Sequence, residues 1–158
     1  QEVFLMSDSL RANVSLHDGT ITDDEIMEAA ETVGAAEFIS QYKDGLDLQV
    51  RERGAMLSVG QRQLIAFMRA YVAKPSILIL DEATSSIDSE SERLIQKATA
   101  SITKRRTSLI VAHRLSTIRY SDKICVVKDG VIVESGTHEE LLEKNGVYHS
   151  SFFLYPVD

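Results

Sequence analysis

The chain has 158 residues, of which 44% are hydrophobic and 26% charged, and its formal net charge is -7. That length buries one good-sized core, as expected of a soluble globular domain. The acidic balance argues against a nucleic-acid binder working through bulk electrostatics, and no apolar run approaches the ~18 residues that span a bilayer.

The opening residues do not read as a signal peptide. Because Gln1 stands first and the opening reads as the middle of a domain, the chain is expected to be a fragment or a processed form. The one cysteine, Cys125, has no internal partner; in the apolar run 124–127 it is expected as a buried thiol, in a reducing compartment.

In chain order, Ser7 and Asp8 are possible caps for a short helix. Thr22 with Glu25 forms a capping box, and Ile26, Ala29, Ala30 and Val33 keep helical spacing up to Gly34, a C-cap. Phe38, Ile39 and Tyr42 suggest a further short helix ending near Gly45. Nothing in the first third reads as strand, so it is expected to be a helical lobe.

Ser58 with Gln61 is a second capping box, opening a helix whose apolar face carries Leu64, Ile65, Phe67, Met68 and Tyr71. Pro75 closes it. The continuous apolar run 77–80 predicts a strand covered on both faces of a parallel sheet. Asp88 or Ser89 caps the next helix, to about Ile102, and 107–111 predicts a second buried strand. Asp129-Gly130 between apolar runs predicts a hairpin, and Thr137 with Glu140 is a third capping box, its helix stopping at Asn145-Gly146. Helices alternating with strands predict an α/β core with an antiparallel edge.

Chemistry-bearing residues gather at a few places. Asp81 and Glu82 follow the first buried strand directly, where open α/β sheets hold ligands. One carboxylate there can hold Mg²⁺ and its neighbour can polarise an attacking water; alone, the pair equally suits a solvated acidic loop. Ser58 and Gly60 at a positive helix end can donate to a phosphate, although S-x-x-Q by itself is an ordinary cap. His113 follows the second strand, so two strand ends deliver Asp81-Glu82 and His113 to one edge. His17, His138 and His149 lie in polar or loop contexts and receive no role, and the His and Cys spacing is not that of a zinc site.

In this order the motifs resemble the ATP-binding cassette (ABC) transporter family, exporter type. LSVGQ at 57–61 resembles its signature motif, ILILDE at 77–82 the Walker B strand, SSID at 85–88 the D-loop and His113 the switch histidine. Gln1 with EVFLMSDSLRANV resembles the Q-loop and the start of the helical subdomain, and LIVAHRLSTI with DKICVVKDGVIVESGTHEELL is similar to exporter cassettes. The likeness runs to about Tyr148.

The resemblance implies a P-loop NTPase-like core with a partial parallel sheet, a C-terminal hairpin and an N-terminal helical subdomain. Residues 1–74 would hold the Q-loop, helical subdomain and signature helix, and residues 75–158 the partial ATPase core. ATP and Mg²⁺ are the implied cofactors. Gln1 would contact the metal or attacking water, Asp81 would hold Mg²⁺, Glu82 would act as general base and His113 would contact the γ-phosphate. Ser58, Gly60 and Gln61 would face ATP bound to the opposite subunit, and Asp88 would bridge the subunits.

The implied partners are a second nucleotide-binding domain, as homo- or heterodimer, and a transmembrane domain, at the cytoplasmic face of a membrane; nucleic acid is not among them. Two departures stand out. Val59 replaces a glycine of the common signature and should keep ordinary backbone angles. No glycine is followed by lysine, so the sequence holds no phosphate-cradling G-x-x-x-x-G-K-[ST] loop and the chain alone is expected to be inactive. The alternatives are a non-catalytic module supplying the signature motif to a Walker-A-bearing partner, and an ABC ATPase outside transport.

Overall fold

The computed structural model describes residues 3–81, 89–104, 106–112 and 115–154. They form two compact units, one from residues 3–80 and 89–109, the other from Asp81 and residues 110–154.

The first unit is built on five helices whose apolar stripes meet. Helix α1 (Leu10–Ser15) is capped by Ser9, and α2 (Asp23–Val33) starts at the complete Thr22/Glu25 capping box and ends at Gly34 in the left-handed conformation. A short α3 (Ala36–Ser40) follows. The longer α4 (Val59–Val72) and α5 (Ser89–Thr103) complete the layer. Ile26, Ala29, Ala30 and Val33 of α2, Leu64, Ile65, Phe67 and Met68 of α4, and Ile95, Ala98 and Ile102 of α5 share one core cluster.

The end of α4 is set by backbone restriction: Lys74, just before Pro75, takes a positive φ of 45°. Its ammonium lies 2.7 Å from Glu25, and the Tyr71 hydroxyl donates to Glu28 at 2.8 Å, tying the C-terminus of α4 to α2. The ion pair holds the Glu25 carboxyl below and the Lys74 ammonium above their ordinary values, mainly through their mutual hydrogen bond.

Two sequence expectations are corrected in this unit. The first third is not all helical: β1 (Asp8–Ser9) pairs antiparallel with β2 (Gln49–Val50). The short pair closes the loop that carries α1, α2 and α3.

Strands β3 (Ile77–Asp81) and β4 (Thr107–Val111) lie side by side, but neither is covered on both faces. Leu78 is buried and Leu80 packs against the core, whereas Ile77 is 64%, Ile79 67% and Leu109 59% exposed. A continuous apolar run sets how much a strand could bury, and alternation still hands every second residue to the other face.

In the second unit, β5 (Ile124–Lys128) and β6 (Val131–Gly136) form the hairpin that Asp129-Gly130 predicts. Both turn residues have positive φ, 51° and 79°, as a two-residue hairpin turn needs. The register slips between Val126 and Val127, leaving Val133 as a bulge. Cys125 is exposed on β5, correcting the expected buried thiol. Ile124 and Val126 of the same strand instead join Leu141 and Tyr148 in a small cluster.

Helices α6 (Leu115–Ile118), α7 (His138–Glu143) and α8 (Val147–Leu154) complete this unit. The sequence reading placed no helix at α8. Its start is fixed by Glu134, whose carboxylate accepts from the Val147 and Tyr148 amides at 2.6 and 3.1 Å. Those two bonds, Tyr148 first, hold the Glu134 carboxyl below its usual range. Among the described residues no helix is long and apolar enough to cross a membrane.

Candidate functional site

The motif at 57–61 becomes a rigid helix start. Leu57 is buried, and Arg62, one turn into α4, donates from Nη1 to the carbonyls of Leu57 at 2.5 Å and Gly54 at 3.3 Å. The guanidinium therefore ties the preceding loop down onto the helix it leads into.

Ser58 caps α4 with extended angles; its Oγ accepts from the Gln61 amide at 3.1 Å, and Gln61 Oε1 accepts from the Ser58 amide at 2.9 Å. Val59 lies in helical conformation without a positive φ, as its branched side chain requires, and is exposed. Gly60 is buried behind it.

The capping box uses two of the four orphan amides, those of Ser58 and Gln61, and leaves two. Among the described residues, the N–H groups of Val59 and Gly60 have no protein acceptor, and the Ser58 hydroxyl keeps its own proton for donation. These donors sit at the positive end of a 14-residue helix.

Charge separates this helix start from its counterparts. The capping boxes of α2 and α7 put Glu25 and Glu140 at the third helical position, beside Asp23, Asp24 and Glu139. At α4 the same position holds neutral Gln61, and no acidic residue stands in the first turn. The capping boxes of α2 and α7 thus carry their own carboxylates, and that of α4 carries none.

A polar anchor that the sequence reading missed holds α4 at its other end. Asn13, with 0% exposure, accepts at Oδ1 from the Met6 amide (2.8 Å) and Arg69 Nη2 (3.0 Å), and donates from Nδ2 to the Met6 and Ser9 carbonyls, both at 3.0 Å. Arg69 also donates from Nε to the Asn13 carbonyl at 2.5 Å and from Nη1 to the Phe4 carbonyl at 2.7 Å. Among the described residues every acceptor of this partly buried guanidinium is neutral, and desolvation lowers its pKa. The signal was present in the spacing: Arg69 stands four residues after Ile65 and three before Val72, on the apolar stripe of α4.

The second unit holds another unassigned group that acquires a partner. Buried His138 shares a hydrogen bond of 2.8 Å through Nδ1 with the Tyr148 hydroxyl, bracing α7 against α8.

Of the predicted site residues, Ser58, Gly60 and Gln61 come together at the start of α4. Asp81 ends β3, exposed, and its carboxylate has no protein partner among the described residues. A bare, solvent-facing carboxylate suits a hard cation that keeps waters and takes one or two protein oxygens. Gln1, Glu82, Asp88 and His113 lie outside the described residues.

Comparison with known proteins identifies a family. The family model described as "ABC transporter" matches residues 1–85. A Staphylococcus aureus protein named for multidrug export as an ATP-binding/permease protein is 50% identical over 154 residues, covering 98% of this chain and 27% of that protein. A Bacillus subtilis protein named as an uncharacterised ABC transporter ATP-binding protein is 48% identical over 148 residues, covering 94% of this chain and 24% of that protein.

Among solved structures, a bacterial Atm1-family ABC exporter with ATP bound matches with a TM-score of 0.86 and 34% identity, over 100% of this chain and 28% of that one. The chain spans about a quarter of the length of the relatives it matches. With more than half of its residues inside the family model and an α/β fold that superimposes on an exporter, the chain belongs to the ABC transporter family.

Proposed function

We propose that this chain works as part of the ATP-hydrolysing domain of an ABC exporter, at the cytoplasmic face of a membrane, coupling hydrolysis to transport. Within it, residues 1–74 act as Q-loop, helical subdomain and signature helix, and residues 75–158 as the catalytic part of the core. The observation that carries this reading is the start of α4: a capping box with no acidic residue, free amides and a hydroxyl, which is built to receive an anion.

The roles follow from chemistry. Ser58, Gly60 and Gln61 meet the terminal phosphate of a nucleotide held by a second nucleotide-binding domain, and Asp88 lies at the junction of the two. Asp81, with Gln1, would hold Mg²⁺, which would supply charge neutralisation for the transferring phosphoryl group. Glu82 takes the proton of the attacking water, and His113 donates to the γ-phosphate. Phosphoryl transfer needs positioning and charge stabilisation more than covalent chemistry from the protein, which suits this set.

The sequence contains no lysine after a glycine, so the 158-residue chain has no loop of its own to cradle the β- and γ-phosphates. By itself it is therefore a donor of signature-motif contacts to a Walker-A-bearing partner.

The test is a chimera in which this chain replaces the segment it matches in the S. aureus protein. Mg-dependent ATP hydrolysis is expected, abolished by Glu82→Gln and lowered roughly tenfold or more by Ser58→Ala. A chimera that folds and assembles but hydrolyses ATP equally well with Glu82→Gln would contradict the assignment.

A further inference from the structure

Gly60 has ordinary helical angles, so no left-handed conformation calls for glycine there. Space does. A Cβ built on Gly60 would lie 2.7 Å from both Cβ and Oγ of Ser91, closer than non-bonded carbon and oxygen atoms approach, and 3.7 Å from the Ser91 Cα. Those are the three nearest atoms, so the crowding comes from one side chain. Ser91 stands in the first turn of α5, the helix that continues in sequence from 85–88.

We infer that Ser91 is a positioning residue: its side chain seats directly on the Cα of Gly60 and sets where the donors of residues 58–60 stand relative to the start of α5. Glycine at 60 is thereby required by a helix-to-helix contact, not by the approach of a phosphate. The start of α4 and the start of α5 are held at one spacing, so any side chain added at 60 pushes the anion-binding end of α4 away from the helix that follows the 85–88 stretch. This rests on the reading of the α4 start as a nucleotide contact.

The two explanations of Gly60 separate in a rescue experiment on the full 158-residue chain, comparing wild type, Gly60→Ala, Ser91→Gly and the double variant. Urea unfolding reads the contact, and MgATP-dependent association with the ATP-binding part of the S. aureus exporter, followed by sedimentation, reads the positioning. Gly60→Ala is expected to raise the unfolding equilibrium constant roughly tenfold and to weaken association by a similar factor, because overpacking at a tight contact displaces backbone. Removing the Ser91 side chain leaves only an ordinary 3.7 Å contact with its Cα. The double variant should then recover both readouts to within roughly threefold of wild type, the coupling expected of touching residues.

A double variant that regains stability but still fails to associate would overturn the inference, since Gly60 would then be kept bare for the nucleotide. A Gly60→Ala chain unchanged in both readouts would overturn it as well. Absence of MgATP-dependent association by the wild-type chain would instead contradict the proposed function. The unfolding cycle would then decide the contact alone: recovery in the double variant upholds it, and simple addition of the two losses overturns it.

Discussion

The helix α4 and the strand β3 follow each other in sequence and are both strongly apolar, yet they end up in opposite situations. Helix α4 buries Leu64, Ile65, Phe67 and Met68, is capped by side chains at its start and is pinned by Arg69 near its end. Strand β3 covers one face and leaves Ile77 and Ile79 about two-thirds exposed. The helix finds its partners within the chain, and the strand finds only half of them. The helix that carries Ser58 and Gly60 is self-sufficient in these residues, while the strand carrying Asp81 has apolar surface left for something else to cover.

The sharpest way to break that contrast is to truncate one isoleucine from each element. Ile65→Ala should lower unfolding stability by about 3 kcal/mol, as a core cavity does, whereas Ile79→Ala should change it by no more than about 0.5 kcal/mol, as exposed positions do. Urea unfolding of the two variants measures both. Equal losses would mean that β3 is covered after all. Ile79→Lys, by the same reasoning, should reduce self-association of the chain in light scattering.

A smaller loss is expected at the polar anchor. Asn13→Ala removes a buried amide and strands the Met6 amide and part of the Arg69 fork, costing about 2 kcal/mol. Combining it with Arg69→Met should cost clearly less than the sum, because the two share bonds.

Ser58→Ala removes one cap and should cost about 1 kcal/mol. Its effect on hydrolysis in the chimera should exceed that loss of stability, which separates the binding role from the capping role.

The smallest effect is one of pH. Glu134 has its folded pKa lowered by the α8 amides, so its contribution is present above its unfolded value and is lost as pH falls through the lowered folded value. Hydrogen exchange in α8 should accelerate over that acid range. In Glu134→Ala, α8 should exchange fast at neutral pH already and lose that acid step. Glu25, lowered by Lys74, adds an acid-labile contribution in the other unit that this variant leaves untouched.

Much of this is legible in the sequence, for a local reason. Capping boxes, the Gly34 cap and the Asp129-Gly130 turn are short-range chemistry, and all of them form as read. The family was readable because its motifs are contiguous strings.

What was hidden depends on pairs distant in sequence. The β1–β2 pair joins residues some forty apart and is two residues long, too short for alternation to register. Arg69 reaches Asn13 across 56 positions, and Gly60 meets Ser91 only when two helices are laid together. Cys125 follows the same rule: an apolar neighbourhood in sequence told nothing of which hairpin face it would take. At the site, Ser58, Gly60 and Gln61 were placed by motif, and the missing acid in the α4 first turn gained meaning only beside the other two capping boxes.

We propose that this chain brings catalytic residues and a signature contact but completes no active site alone. Steady-state MgATP hydrolysis by the purified 158-residue chain tests it most directly, run beside its Glu82→Gln variant at matched concentration. Both should hydrolyse ATP at the same background rate. Mg-dependent turnover by the unmodified chain that Glu82→Gln abolishes would contradict it.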